Sequence, residues 1–382
     1  MKQYIPLGEV ITKASVERCG GNQFPILSIT MKDGLVLQDE KFKKRIASVD
    51  TSDYKVILRG KLVQGIHIDE ANFGIQDIVD AGIVSPAYKV WDVNDRRIFP
   101  KYLEIIMRSP RSIGFYKSKL NGSVNRRGRM TDDDFLGMLI PVVDYSEQIR
   151  IVDILKRVKG VIAKREHELS VLDDLIKARF VEMFGDPVAN PKGWVKKALS
   201  DEAEIRIGPF GSLLHKEDYV SGGHALVNPS HIINGQIVPD NELTVSDTKY
   251  TELLPYHLIP GDVVMGRRGE MGRCAVVEET GLLCGTGSLL IRTNGDLSAD
   301  FIQKIISFPS FKRTIEDMAV GQTMPNLNVP IVSSFEIIKP PKSVQEQYYA
   351  FVAQIDKSKS VIQKSLDETQ LLFDSLMQEY FG

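Results

Sequence analysis

The chain has 382 residues, 43% of them apolar and 26% charged, with 48 basic side chains against 50 acidic ones. That is apolar material for two or more cored domains, and no apolar run approaches the roughly 18 residues that a bilayer span needs. The opening MKQYIPLGEV has no apolar signal core, so a cytoplasmic protein without membrane partners is expected. Cys19, Cys274 and Cys284 stand apart from one another and from histidine, which excludes a disulfide framework and a zinc site and leaves three reduced, structural thiols.

From the N-terminus, short β-type runs at 24–30, 54–63 and 87–90 lie between Gly, Asp and Asn turns, and a helix fits 100–120 up to Asn121-Gly122. A long heptad seam follows. Ile151, Leu155, Val158, Ile162, Arg165, Leu169, Leu172, Ile176, Arg179 and Met183 step alternately by four and three, with charged flanks on either side. So narrow an apolar stripe cannot lie inside a globular core, and it predicts a helix that pairs with another helix. Gly185 to Gly193, with Pro187 and Pro191 between, predicts a short hinge.

Beyond the hinge, strands are expected around 225–227, 262–265, 274–277 and 288–292, then a helix over 299–319. A second seam closes the chain: Tyr348, Val352, Ile355, Lys359, Ile362, Leu366, Thr369, Phe373, Leu376 and Tyr380, broken only at Lys359 and Thr369. Both seams open near Glu-Gln (147–148 and 346–347) and close on Phe-Gly (184–185 and 381–382).

The similarity extends beyond the helices. At offsets near 200, ILRGKLVQG (57–65) lies over LIPGDVVMG (258–266), Pro110 over Pro309, Gly122 over Gly321, and LGMLIP (136–141) over FEIIKP (335–340). The chain is one unit written twice. The expected fold is α+β: two globular domains (1–145 and 187–342), each followed by a long helix (146–186 and 343–382), the helices forming an antiparallel coiled coil with pseudo-twofold symmetry.

This order of parts, with Gly-Asp-Val-Val at 261–264, Gly-Thr-Gly-Ser at 285–288 and Pro-Pro-x-x-x-Gln-Glu-Gln at 340–347, resembles the DNA specificity subunits of type I restriction–modification systems. The resemblance covers the whole chain. It implies two target-recognition domains that read a split double-stranded DNA sequence, with helices that space them and dock two methyltransferase subunits; nuclease subunits join the larger complex. It also implies a non-catalytic chain, with S-adenosylmethionine, ATP and Mg held by the partners only. The alternative is a coiled-coil scaffold, or the specificity partner of a stand-alone methyltransferase without a nuclease.

The family's recognition domains vary in sequence, so DNA contacts must be sought in the residues themselves. Arg267, Arg268 and Arg273 on the glycine-rich stretch 266–273 can offer forked guanidiniums to phosphates or guanine edges. Gly208-Pro209-Phe210-Gly211-Ser212, with Lys216 nearby, suits backbone positioning through Ser212 and Lys216. Asn228-Pro229-Ser230-His231 lacks the second proline and the aromatic residue of the amino-methyltransferase motif, so catalysis is rejected there; Asn228, Ser230 and His231 remain contact candidates. Arg126, Arg127 and Arg129 form a similar run that the following Asp132, Asp133 and Asp134 can neutralise, and Asn326 is the amide counterpart in the second copy. Gln64 and His67 are weaker candidates. No metal cluster, cofactor glycine motif, catalytic triad or nuclease constellation is found.

Overall fold

The computed structural model describes residues 2–42, 47–120, 130–319 and 326–382, apart from the Ser212 side chain. The chain packs as two compact units: Met1–Leu169 with Val361–Gly382, and Ser170–Ser360. This differs from the linear division of the sequence, because each long helix is shared. The first runs over Tyr145–Phe184 and the second over Lys342–Phe381, 40 residues each.

Within the first unit, Ile151 and Leu155 share a core with Phe373, Leu376, Met377 and Phe381. Within the second, Ile176, Phe180 and Phe184 share one with Tyr348, Val352 and Ile355. In both, the start of one helix meets the end of the other, which makes each pairing antiparallel. All twenty seam positions are buried or half-buried, while charged neighbours such as Lys156, Arg157 and Lys164 are exposed. Both seam interruptions are also accommodated: Lys359 donates to Asp173 at 2.5 Å, and the Thr369 hydroxyl donates to the Ser365 carbonyl at 2.7 Å.

Each unit holds the same four-stranded antiparallel sheet. In the first the order is Ile11–Lys13, Lys89–Val93, Leu62–Gln64, Phe73–Ile75; in the second it is Ala203–Ile207, Ser288–Thr293, Asp262–Gly266, Cys274–Val276. Two helices cover each sheet: Pro100–Met107 and Pro110–Lys119, matched by Ala299–Ile306 and Pro309–Met318. The sequence suggested one helix in each place. Pro110 and Pro309 split them, because a proline inside a helix removes a donor and clashes with the preceding turn, whereas at a helix start it costs nothing.

The run 54–63 is likewise two strands, Lys55–Leu58 and Leu62–Gln64, parted at Gly60 with φ +92°. The stretch after Gly185 is a closed turn rather than a loose hinge. Asp186 accepts from the backbone of Val188 and Ala189 at 2.9 and 3.0 Å, and Trp194 Nε1 donates to the Phe184 carbonyl at 3.1 Å. The second unit adds a second sheet of Tyr219–Val220, Thr244–Val245, His224–Val227 and Leu283–Cys284.

All three cysteines are buried and unbonded to one another, and burial pushes the Cys274 and Cys284 thiols up to about 12. They are packing residues. No helix among the described residues is long and apolar enough to cross a membrane.

Candidate nucleic-acid interface

Antiparallel pairing brings three loops of the second unit to one end of its sheet. Ile207 pairs with Leu289, Gly266 with Ser288, and Met265 with Cys274. The segments 208–213, 285–287 and 267–273 therefore leave or enter the sheet side by side. At the other end the register is pinned by Asp262, almost fully buried, which takes Arg292 Nε and Nη2 at 2.8 and 2.7 Å and the Ile259 N–H at 2.8 Å. A buried carboxylate so fully partnered holds the strands without an orphaned charge.

The glycines at the loop end are there because backbones touch. A Cβ on Gly208 would lie 2.0 Å from the Gly285 carbonyl oxygen, and one on Gly285 would lie 2.3 Å from Asn228 Oδ1. Asn228 Oδ1 in turn accepts the Gly287 N–H at 3.2 Å, and Gly208 N–H donates to the Ser288 carbonyl at 3.1 Å. The Gly-Thr-Gly-Ser stretch is thus the floor on which the 208 loop and the 228–231 turn rest.

The three arginines divide into two kinds. Arg273 is committed internally: Nε and Nη2 reach Glu270 at 3.2 and 2.5 Å, and Nη1 reaches the Pro229 carbonyl at 3.1 Å. Glu270 also meets Lys312 at 3.4 Å, and Arg273 first, then Lys312, hold its carboxyl below the usual range. Arg267 and Arg268 have no such acid. Their Nε atoms both approach Asn326 Oδ1, at 3.1 and 3.4 Å, and no ion pair engages either among the described residues. Asn326 is brought there by a backbone bridge, in which the Leu327 N–H donates to the Arg267 carbonyl at 2.9 Å. Burial, and then the neighbouring Arg268 charge, lower the Arg267 pKa.

Of the remaining expected contacts, Ser230 and Lys216 are exposed, whereas His231 is corrected. Its ring is buried, with Nδ1 2.8 Å from the Leu226 carbonyl oxygen, so it closes the turn and does not reach outward. Asn228 is half-buried and its Oδ1 is spent on Gly287, which makes it a support as well. Arg273, half-buried, is engaged by Glu270 and the Pro229 carbonyl. Arg126, Arg127 and Arg129 lie outside the described residues, as does the Ser212 side chain. Asp132 and Asp134, expected to neutralise that run, engage lysines: Asp132 meets Lys89 at 2.5 Å and Lys13 at 3.5 Å, and Asp134 meets Lys119 at 3.3 Å.

In the first unit, the loop equivalent to 267–273 is 65–72. Gln64 is buried there and accepts from Trp91 Nε1 at 3.0 Å, while His67 is exposed. Phe210 was missed from sequence: 60% exposed on the 208–213 loop, it offers an aromatic face at the same end of the sheet. The signal was present, since an aromatic residue between Gly-Pro and a glycine at φ +62° has little core to enter.

Unneutralised guanidiniums, a glycine-backed loop platform and an exposed ring at one sheet end make a surface for an anionic, planar ligand such as nucleic acid. No group of His, Cys, Asp and Glu able to hold a metal occurs among the described residues.

Residues 191–369 match the family described as the type I restriction modification DNA specificity domain. Over 100% of this chain and 97% of the other, the fold is similar to a chain in the structure described as the basis of complex assembly and conformational transition of the type I R-M system (TM-score 0.63, 19% identity). It is also similar to the type I restriction–modification S subunit of M. genitalium (TM-score 0.55, 12% identity, 100% of this chain and 96% of that one). No curated protein sequence matches significantly.

Proposed function

We propose that this chain, whose residues 191–369 match the type I restriction modification DNA specificity domain, is the DNA specificity subunit of such a system. The observation that carries the reading is the duplication. A recognition domain of that family is followed by a long helix, and the same sheet order, helix pair and following helix occur in the first unit. Two such units suit a split target, each reading one half.

The chain itself is non-catalytic in this reading. It supplies sequence choice, and methyltransferase subunits supply the reaction together with S-adenosylmethionine; nuclease subunits bring ATP and Mg chemistry. Docking falls to the helices. In the first unit Val161, Val361, Leu371 and Leu372 are exposed on them, and in the second Val171, Leu175 and Val181. Apolar side chains left on the outer face of an already paired helix suit partner helices. Two similar surfaces imply two methyltransferase copies.

The test is reconstitution. The pure chain, given duplex DNA, S-adenosylmethionine, ATP and Mg, is expected neither to methylate nor to cut. With a cognate methyltransferase subunit, it is expected to form a complex holding two partner copies that methylates one split motif. Activity of the chain alone, or a saturated complex with one partner copy, contradicts the reading.

A further inference from the structure

We propose that Asn326 is a positioning residue that presents Arg267 and Arg268 together as a reader of guanine edges in the half-site recognised by the second unit. This rests on the specificity-subunit reading above.

Three observations carry it. First, charge is partitioned within one short loop. Glu270 is occupied by Arg273 and Lys312, so the only acid in 266–273 is unavailable to the other two arginines. Second, those two converge on one neutral oxygen. Arg267 lies in the bend just past the strand that ends at Gly266, and there the Nε atoms of Arg267 and Arg268 both approach Asn326 Oδ1. Two like charges gathered on one uncharged acceptor keep most of their donors open to an anionic or paired acceptor from outside. Third, Asn326 is held by backbone. The Leu327 N–H donates to the Arg267 carbonyl, and the Arg267 N–H donates to the Gly287 carbonyl at 3.0 Å, so the amide and the loop cannot drift apart.

The chemistry favours a base edge. Asn326 occupies the Nε atoms and leaves the Nη atoms of each guanidinium, restrained in orientation, for a planar pair of acceptors. Guanine offers O6 and N7 as such a pair in the major groove. A phosphate has no need of an oriented fork and binds a lysine point charge as readily. An acid in place of a neutral amide would compete with the base for the guanidiniums and lower affinity without removing the preference.

The experiment uses the reconstituted complex and a library of duplexes randomised across the target, with methylation of each sequence as the readout. Arg268→Ala and Arg267→Ala are each expected to relax a guanine position of one half-site by roughly 10- to 100-fold and to leave the other half-site unchanged. Arg268→Lys, which keeps the charge but not the fork, is expected to relax the same position as Arg268→Ala. Asn326→Ala should relax the positions read by both arginines, whereas Asn326→Asp, which keeps the oxygen, should retain the preference at lower affinity. Unchanged melting of each variant separates reading from folding.

Uniform weakening on all sequences, with the salt dependence shallower by about one, would mean phosphate contact and overturns the guanine assignment while leaving the specificity-subunit reading intact. Unchanged preference in every variant overturns the inference in the same way. An unaltered complex that methylates without sequence preference overturns both readings together.

Discussion

The side-chain oxygen of Gln148 accepts the backbone N–H of Phe99 at 2.8 Å, so the first turn of the long helix caps the helix that begins at Pro100. The amide nitrogen of the same glutamine donates to the carbonyls of Arg97 and Val143, each at 2.7 Å. Gln345 repeats the pattern in the second unit with the Ser298 N–H at 3.3 Å, the Asp296 carbonyl at 3.4 Å and the Pro340 carbonyl at 3.0 Å. Both glutamines are buried. Gln148→Ala would orphan three backbone groups and should cost about 2 to 4 kcal/mol. Gln345→Ala, which removes longer bonds, should cost less. Chemical denaturation of the full chain checks the order, and equal or negligible losses would remove the glutamines from the account of the fold.

Acid should reveal a second link. Hydrogen bonding from Lys89, against a smaller opposing effect of burial, holds the Asp132 carboxyl below its ordinary 3.8. A carboxyl whose pKa falls on folding contributes stability above that ordinary value, and the contribution is lost as pH drops through the lowered one. Asp132→Asn should therefore be less stable than the unaltered chain at pH 7, and the gap should close below about pH 4. Melting curves across that range measure it. A gap that is constant with pH would mean that the charge is not the cause.

Glycine at the loop platform is a steric requirement. Gly208→Ala places a Cβ against the Gly285 carbonyl oxygen, a backbone atom that cannot rotate away. The variant should lose about 1 to 3 kcal/mol, and binding to every target should weaken alike, because the platform under the arginines shifts. Gly114→Ala, where a Cβ meets nothing within 4 Å, serves as the control and should be neutral or slightly stabilising.

The exposed residues of the helices give a prediction about assembly. Val361 and Leu371, 71% and 72% exposed, are not needed by the helix pair. Val361→Glu and Leu371→Glu should leave the melting temperature within a degree or two, since surface substitutions rarely exceed about 0.5 kcal/mol, while weakening capture of the methyltransferase subunit. Full capture by the double variant would move the docking surface elsewhere.

The duplication and both seams were legible because heptad spacing and Phe-Gly endings survive in the residue string itself. Fine register was not. The Glu-Gln pairs at 147–148 and 346–347 look equivalent, yet Glu346 and Gln347 are exposed and the partner of Gln148 is Gln345, a match visible only once burial is known. Pro110 and Pro309 were in plain view, but strong apolar periodicity across them masked the break. At the candidate interface the arginine loop was evident from composition. Its division into a neutralised Arg273 and an open Arg267–Arg268 pair was not, because Asn326 lies 59 residues from Arg267 and reaches it only through the folded backbone. His231 shows the opposite error: polar type suggested contact, while the turn buries it.

The most direct test of the central claim is the methylated motif in cells that carry a cognate methyltransferase subunit, mapped with and without this chain. The account predicts a split motif of two fixed half-sites around an unspecified spacer, present with the chain and absent without it. Replacing residues 187–342 by the equivalent domain of another specificity subunit should change one half-site and keep the other. A motif that persists without the chain, or that changes in both halves after the replacement, would contradict the assignment of one half-site to each unit.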